Sequence, residues 1–118
     1  MAKRCLHTLA RQELTRAVHS QLGRSERVLL GTDAGSRLAV LALRSDPATA
    51  ERLERPWTVQ VLAGRVRLSY DGVTAIGFPG DLLTGPAGGT LTPERDCAVL
   101  LTLDPTYVDS SELTRTAS

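Results

Sequence analysis

The sequence predicts an all-β fold, a barrel or sandwich of short strands that follows one amphipathic helix at the N-terminus. From residue 57 to residue 70, apolar and polar side chains alternate with the period of a half-buried strand. Glycine, proline and aspartate then divide the chain into short segments up to residue 103. Short strands at a spacing of about 8–12 residues are typical of all-β sandwiches and barrels.

The N-terminal helix is predicted over residues 6–22. Its apolar stripe recurs at every fourth position, through Leu6, Ala10, Leu14, Val18 and Leu22. Gly23 follows the stripe, and glycine is a favoured residue just beyond a helix end. The opposite face is polar, and Glu13 and Arg16 are expected there in solvent. A one-sided stripe must be buried, either on the outside of the barrel or on a partner subunit.

Eight strands are predicted after the helix. They cover residues 27–30, 37–43, 57–62, 66–70, 74–78, 82–84, 90–92 and 97–103. The second is almost continuously apolar, which indicates a strand that is covered on both faces. In the third, Trp57, Val59 and Val61 point inward, and the fourth continues this inner face with Val66, Leu68 and Tyr70. Residues 48–56 are predicted to form a polar connection that ends at Pro56.

The length of the chain limits the number of domains, and its charge limits the classes of partner it can bind. A chain of 118 residues is expected to form one domain, with an N-terminal helical segment (1–24), a barrel (25–104) and a polar C-terminal tail (105–118). The formal net charge of +1 offers no basic excess for nucleic acid. No apolar run approaches the ~20 residues of a membrane span, and no secretion signal is recognisable. The chain is therefore predicted to be cytoplasmic, with Cys5 and Cys97 unpaired and partly buried.

Turn residues in the second half of the chain match a motif of the cupins. The second cupin motif is usually glycine, five residues, proline, one residue, glycine, two residues and histidine. Gly80, Pro86 and Gly88 match its first three fixed positions, and Leu91 stands at the position of the histidine. Glycine permits the positive φ of such bends, and proline suits a position where no ladder N–H is needed.

Two further segments extend this resemblance. VQVLAGRVRL (59–68) contains Gly64, which matches the glycine that ends the first cupin motif, and CAVLLTL (97–103) matches a closing strand. Over residues 27–103 the chain therefore resembles a small single-domain bacterial cupin of the RmlC-like type. The resemblance implies a double-stranded β-helix, or jelly-roll barrel, preceded by the one amphipathic helix.

The resemblance also indicates where a cupin would carry its metal ligands. These positions hold Trp57 in place of glutamate, Leu91 in place of histidine, and either Glu51 and Leu53 or Ala50 and Arg52 in place of the His-x-His pair. A transition-metal site needs three or four nitrogen or oxygen ligands, and no imidazole is present among these residues. The resemblance therefore implies a barrel with no metal and no cofactor. A metal site with other ligands would need His19 to reach the barrel from the N-terminal segment.

Two interpretations of the barrel interior remain open. In the first, side chains fill the interior completely, and Trp57 acts as a plug whose indole N–H binds a backbone group. In the second, the interior holds a small apolar or aromatic molecule. Trp57 and Tyr70 would then provide stacking walls, and the remaining lining would come from Val59, Val61, Leu68 and Leu91.

The function is narrowed to two classes. The first is a binding or regulatory protein that holds a small hydrophobic ligand and acts as a homodimer. A homodimer is expected because the apolar stripe of the helix and the apolar strand 37–43 both need to be buried. The second is a metal-independent isomerase, cyclase or lyase that acts on a hydrophobic metabolite. Its acid–base groups would be Glu51 and Tyr70 at the barrel mouth, where an apolar environment raises the pKa of a carboxyl group. Asp81 is expected to stabilise its own turn.

Overall fold

The computed structural model describes residues 3–32 and 35–104, and the predicted polar tail, 105–118, lies outside the described residues. In this described part of the chain, one helix, α1 (Leu6–His19), precedes nine strands, with a short 3-10 turn at Pro47–Thr49. The strands are β1 (Arg24–Gly31), β2 (Arg37–Leu43), β3 (Glu51–Leu53), β4 (Trp57–Ala63), β5 (Val66–Tyr70), β6 (Val73–Gly77), β7 (Leu82–Gly85), β8 (Gly89–Pro93) and β9 (Cys97–Leu103).

The strands form two antiparallel sheets. The five-stranded sheet has the order β1-β2-β9-β4-β7, and the four-stranded sheet has the order β3-β8-β5-β6. Side chains from both sheets meet in one apolar core, in which Leu41, Val59 and Val99 of the larger sheet pack with Leu68 and Leu91 of the smaller one. The faces that meet in this core are called the inner faces. The predicted all-β class with one N-terminal helix is therefore confirmed.

Strand β2 is buried on both of its faces, as its continuous apolar sequence predicted. Every side chain from Ala39 to Leu43 is fully buried. Leu41 and Leu43 enter the core between the sheets, whereas Ala42 lies on the outer face beneath α1. The helix contributes Ala10 and Ala17 to this second cluster, which also contains Ala98 of β9. The middle of the α1 stripe, with Ala10 and Leu14, therefore packs on the outside of the sandwich within the same chain, whereas Val18 near its end is 37% exposed.

Helix α1 ends at His19, earlier than its apolar stripe predicted. The guanidinium of Arg44 donates hydrogen bonds to the carbonyl oxygens of Val18, at 3.2 Å, and Ser20, at 2.9 Å. These bonds satisfy carbonyl groups that would otherwise require another helical turn or water. Gly23, with φ of 71°, then redirects the chain into β1, and Leu22 remains 76% exposed.

Strand β3 lies inside the segment that was predicted to be a polar connection. Glu51 pairs with Leu91 of β8, and Leu53 pairs with Gly89. Leu53 is 1% exposed, so this strand contributes to the core despite its charged neighbours. The prediction was wrong because three residues are too few to show a period, and the partner strand lies far away in the sequence.

Glu13 anchors the helix to the edge strand β1, although it was expected in solvent. Its side chain is fully buried. The Ser25 hydroxyl donates a hydrogen bond to one carboxylate oxygen at 2.5 Å. The other oxygen lies 3.1 Å from Nη1 of Arg16 and 3.4 Å from Nε of Arg27. A buried carboxylate is tolerated when it is paired and hydrogen-bonded in this way, so charge holds α1 to β1, whereas apolar contact holds α1 to β2 and β9.

We expect Glu13→Gln to lower the free energy of unfolding by about 1.5–3 kcal/mol, because the amide keeps the shape of the side chain but loses its charge-assisted bonds. Chemical denaturation measures this loss. Glu54→Gln is a matched control, since Glu54 pairs with Arg52 at the surface and is 71% exposed. An exposed pair contributes no more than about 1 kcal/mol. Equal losses in the two variants would contradict the anchoring role of Glu13.

The two cysteines are expected to differ in reactivity. Burial raises the pKa of the Cys97 thiol to about 12, whereas hydrogen bonding to Thr8 lowers the pKa of the exposed Cys5 thiol. The thiolate is the reactive form, so at a mildly alkaline pH Cys5 is alkylated by iodoacetamide while Cys97 reacts only after unfolding. Mass spectrometry of the native protein checks this order. Modification of Cys97 at the rate of Cys5 would show that the core is open.

Candidate functional site

On the side of the sandwich where β1 and β3 face each other, charged side chains link the two sheets. These are edge strands of the two sheets. Arg24 of β1 lies 3.0 Å from the carboxylate of Glu51 on β3, so this ion pair connects the sheets. Glu26 lies 3.8 Å from Arg24 and 3.6 Å from Arg37. Paired charges therefore occupy this edge.

A cavity of about 430 Å³ lies at the other side, between the edge strands β6 and β7. It is lined by Trp57, Leu68, Ser69, Tyr70, Val73, Ala75, Leu82, Leu83, Thr84, Gly85 and Pro86. None of these residues is charged. We call this cavity, defined by these residues, the β6–β7 cleft. Its volume falls within the range of roughly 300–1,000 Å³ that is usual for small-molecule sites.

The β6–β7 cleft has a buried floor and an exposed apolar rim. Trp57 is 5% exposed and Leu68 is 4% exposed, so they form the floor. Val73 of β6 and Leu82 of β7 are 71% and 69% exposed, and Tyr70 is 43% exposed. Large apolar side chains at such exposure, arranged around a cavity, are typical of binding surfaces.

Strand register explains why space remains at this edge. Ala75 of β6 pairs with Leu68, so a small side chain lies beside this floor residue, whereas the space beside Gly85 is filled by the Trp57 ring. Further along β6 the sheets close. A Cβ atom at Gly77 would lie 2.8 Å from Leu83 and 2.9 Å from Val61, which leaves no room at that end.

The indole ring of Trp57 is fixed by two glycines and one carbonyl group. A Cβ atom at Gly85 would lie 2.5 Å from Cζ2 of the ring, and one at Gly89 would lie 2.9 Å from Nε1. Nε1 donates a hydrogen bond to the Pro86 carbonyl oxygen at 2.9 Å. The Thr84 hydroxyl donates to the backbone carbonyl of Trp57 at 3.1 Å. The floor of the β6–β7 cleft is therefore an immobilised aromatic ring whose N–H is already bonded.

Only part of the predicted lining reaches the β6–β7 cleft. Trp57, Leu68 and Tyr70 line it. Val59, Val61 and Leu91 are no more than 1% exposed and lie in the core between the sheets. They share the inner face, as the alternation predicted, but the opposite sheet covers them. The interior is thus filled along the central strands, as the first interpretation expects, and a cavity remains along the β6–β7 edge.

Glu51 and Tyr70 do not meet at one mouth. Glu51 lies on the edge strand β3, where it pairs with Arg24, and it does not line the β6–β7 cleft. Tyr70 ends β5 and pairs with Val73 of β6, the opposite edge strand of the same sheet. Sequence spacing could not reveal this separation, because it depends on β8 and β5 lying between β3 and β6.

Other lining residues escaped the sequence analysis. Ala75, Leu83 and Gly85 were seen as parts of strands or turns, and no local signal shows that their inner faces lie beside a cavity. Asp81 does what its position predicted, since its carboxylate accepts a hydrogen bond from the Phe78 backbone N–H at 2.8 Å. Arg65 and Arg67 both pair with Glu94 at 3.2 Å, away from the β6–β7 cleft.

The positions that carry metal ligands in cupins do not fit a metal ion here. Leu53, Trp57 and Leu91 are buried and offer no ligand atom, and the carboxylate of Glu51 is engaged by Arg24. Within residues 3–32 and 35–104, no group of three or more His, Cys, Asp and Glu side chains is placed to hold a metal. His19 ends α1, which packs on the outer face of the five-stranded sheet, and its Nδ1 lies 2.9 Å from the Thr15 carbonyl oxygen.

Solved structures identify the fold. A Thermus thermophilus protein, TT1209, has a TM-score of 0.69 at 18% identity, over 89% of this chain and 98% of that one. A cupin superfamily protein (DSY2733) from Desulfitobacterium hafniense has a TM-score of 0.58 at 14% identity, over 68% and 75%. An RmlC-like cupin from Desulfovibrio desulfuricans has a TM-score of 0.56 at 13% identity, over 70% and 82%. The chain therefore has the cupin fold, as its turn residues predicted.

No family model matches the chain, and no curated protein sequence matches it. At these identities the likeness to solved structures establishes the fold alone. Among the described parts of the chain, no helix has both the length and the apolar character needed to cross a membrane.

We expect Gly85→Ala to displace the Trp57 ring, because the added methyl group would overlap it, and overpacking of this kind lowers stability by about 1–3 kcal/mol. Trp57 is the only tryptophan, so its emission spectrum and chemical denaturation report the change directly. Gly31→Ala on the edge strand β1 is the control, since its nearest neighbour would be Val28 at 4.0 Å. Unchanged emission and stability in Gly85→Ala would contradict the close packing of the Trp57 ring against Gly85.

Proposed function

We propose that this protein binds a small apolar or aromatic molecule in the β6–β7 cleft without using a metal. The observation that carries the proposal is a cavity of ligand size with no charged lining residue, next to a fixed indole ring. Transfer of an apolar molecule from water into such a cavity is favourable. An aromatic ligand gains further from stacking or edge contact with Trp57.

Pre-organisation supports binding as the role of this cavity. The indole is held by the Pro86 carbonyl and by contact with two glycines before any ligand arrives. A ligand therefore does not have to immobilise the wall against which it packs, and the entropy cost of binding is reduced. The exposed rim residues Val73 and Leu82 also lose contact with water when the cleft is occupied.

Acid–base catalysis on a hydrophobic metabolite is the second candidate function, and one observation favours it. The phenol of Tyr70 lines the β6–β7 cleft, so one proton donor is available at the rim. Isomerases, cyclases and lyases usually need a second group that accepts the proton. The lining contains no carboxylate or imidazole, and Glu51 lies at the other edge. Binding is therefore better supported than catalysis.

We propose that the protein forms a homodimer, but through a surface other than the helix. The middle of the helix and the outer face of β2 cover each other, so this contact does not require a partner subunit. What supports association is the apolar surface of β1, where Val28 is 50% exposed and Leu30 is 60% exposed. Sedimentation velocity at tens of micromolar decides the question, since a single monomeric species would remove the proposal.

We expect Ala75→Phe to weaken binding of the neutral probe N-phenyl-1-naphthylamine by at least about tenfold, because the new ring occupies space that the probe needs. Fluorescence titration of the probe, with quenching of Trp57 as a second signal, measures the affinity. Thr74→Phe adds the same ring to the same strand, but Thr74 pairs with Ser69 on the outer face, so its affinity should match the unmodified protein. Equal affinities in all three proteins would contradict binding in the β6–β7 cleft.

A further inference from the structure

We propose that the β6–β7 cleft selects uncharged aromatic molecules that carry one hydrogen-bonding group, and that Tyr70 recognises this group. This inference rests on the proposed binding function and adds the class of ligand and the residue that determines specificity. It follows from the hydrogen bonds that the polar side chains of the lining already make.

The polar groups near the floor are already engaged. The indole N–H of Trp57 is bonded to the Pro86 carbonyl, and the Thr84 hydroxyl is bonded to the Trp57 carbonyl. The Ser69 hydroxyl lies 3.4 Å from the Thr74 hydroxyl, on the outer face. A ligand group that needs a hydrogen-bond donor would therefore find no free side-chain donor at the floor, and its burial there would be unfavourable. The deep part of the ligand should be hydrocarbon.

Tyr70 differs from these groups. Its ring lines the β6–β7 cleft, it is 43% exposed, and its hydroxyl forms no hydrogen bond with the described residues. Its inner-face neighbour is Val73 at the rim, so the phenol lies at the entrance and not at the floor. One ligand group at the entrance can therefore bond to Tyr70 while the rest packs against Trp57.

The absence of charge in the lining sets the second part of the specificity. A carboxylate in the β6–β7 cleft would lose part of its hydration and would meet no cationic side chain among the lining residues. Desolvation without a counter-charge is costly. The arginines of β1 and β2 are paired at the opposite edge of the sandwich. An anionic analogue of a good ligand should therefore bind poorly.

Three ligands of one ring system test the inference by isothermal titration calorimetry at pH 7. We expect 2-naphthol to bind more tightly than naphthalene, and 2-naphthoate to bind at least about tenfold more weakly than 2-naphthol. Tyr70→Phe should reduce the affinity for 2-naphthol by about 3–10-fold, the range of one neutral hydrogen bond. It should leave the affinity for naphthalene unchanged, which a merely structural role of Tyr70 would not predict.

A charged variant tests the electrostatic part with a matched control. Val73→Lys places a cation on the rim and should increase the affinity for 2-naphthoate several-fold. Thr74→Lys adds the same charge to the outer face of the same strand and should not. If 2-naphthoate binds the unmodified protein as tightly as 2-naphthol, or Tyr70→Phe affects naphthalene and 2-naphthol equally, the inference is overturned and the binding function stands. If none of the three ligands binds, both are overturned.

Discussion

The packing of the Trp57 indole between the two sheets is the contact on which the interior of this protein depends. Gly85 lies in the five-stranded sheet and Gly89 in the four-stranded sheet, and both lack the side chain that would collide with the ring. The Pro86 carbonyl between these two strands takes the indole N–H. One side chain therefore touches both sheets and forms the inner wall of the β6–β7 cleft. It stands where the resemblance places a metal-binding glutamate, so an aromatic surface replaces a charged ligand.

The two lateral edges of the sandwich differ in charge and in packing. Edge strands expose unpaired backbone groups and usually carry charges that discourage association. Arg24 and Glu26 supply such charges at the start of β1, and Glu51 supplies one on β3, and the Arg24–Glu51 pair also connects the sheets. Strands β6 and β7 contain no charged residue. Because the small side chain of Ala75 faces the interior there, a cavity remains at this edge, whereas the charged edge is closed.

Helix α1 makes the outer face of the larger sheet part of the core. Alanine residues on both sides of this contact allow close approach, and Ala17 and Ala42 are fully buried. The buried carboxylate of Glu13 adds a directional link to Ser25 and Arg27 of β1. The helix therefore covers β2 and β9 on the outer face, and β2 is buried on both of its faces. The opening is consequently confined to the edge strands.

The amino-acid sequence alone determined the all-β class, the helix, the doubly covered strand β2 and the alternation that places Trp57 and Leu68 inside. These features depend on the local period of apolar side chains and on turn residues such as Gly80 and Pro86. Both can be recognised from residues that are close together in the sequence. The tertiary structure decided which inward side chains are covered and which line a cavity. It also decided that Glu13 is buried and that Glu51 and Tyr70 are apart. Such relations depend on register between strands that are distant in the sequence, and no local pattern records them.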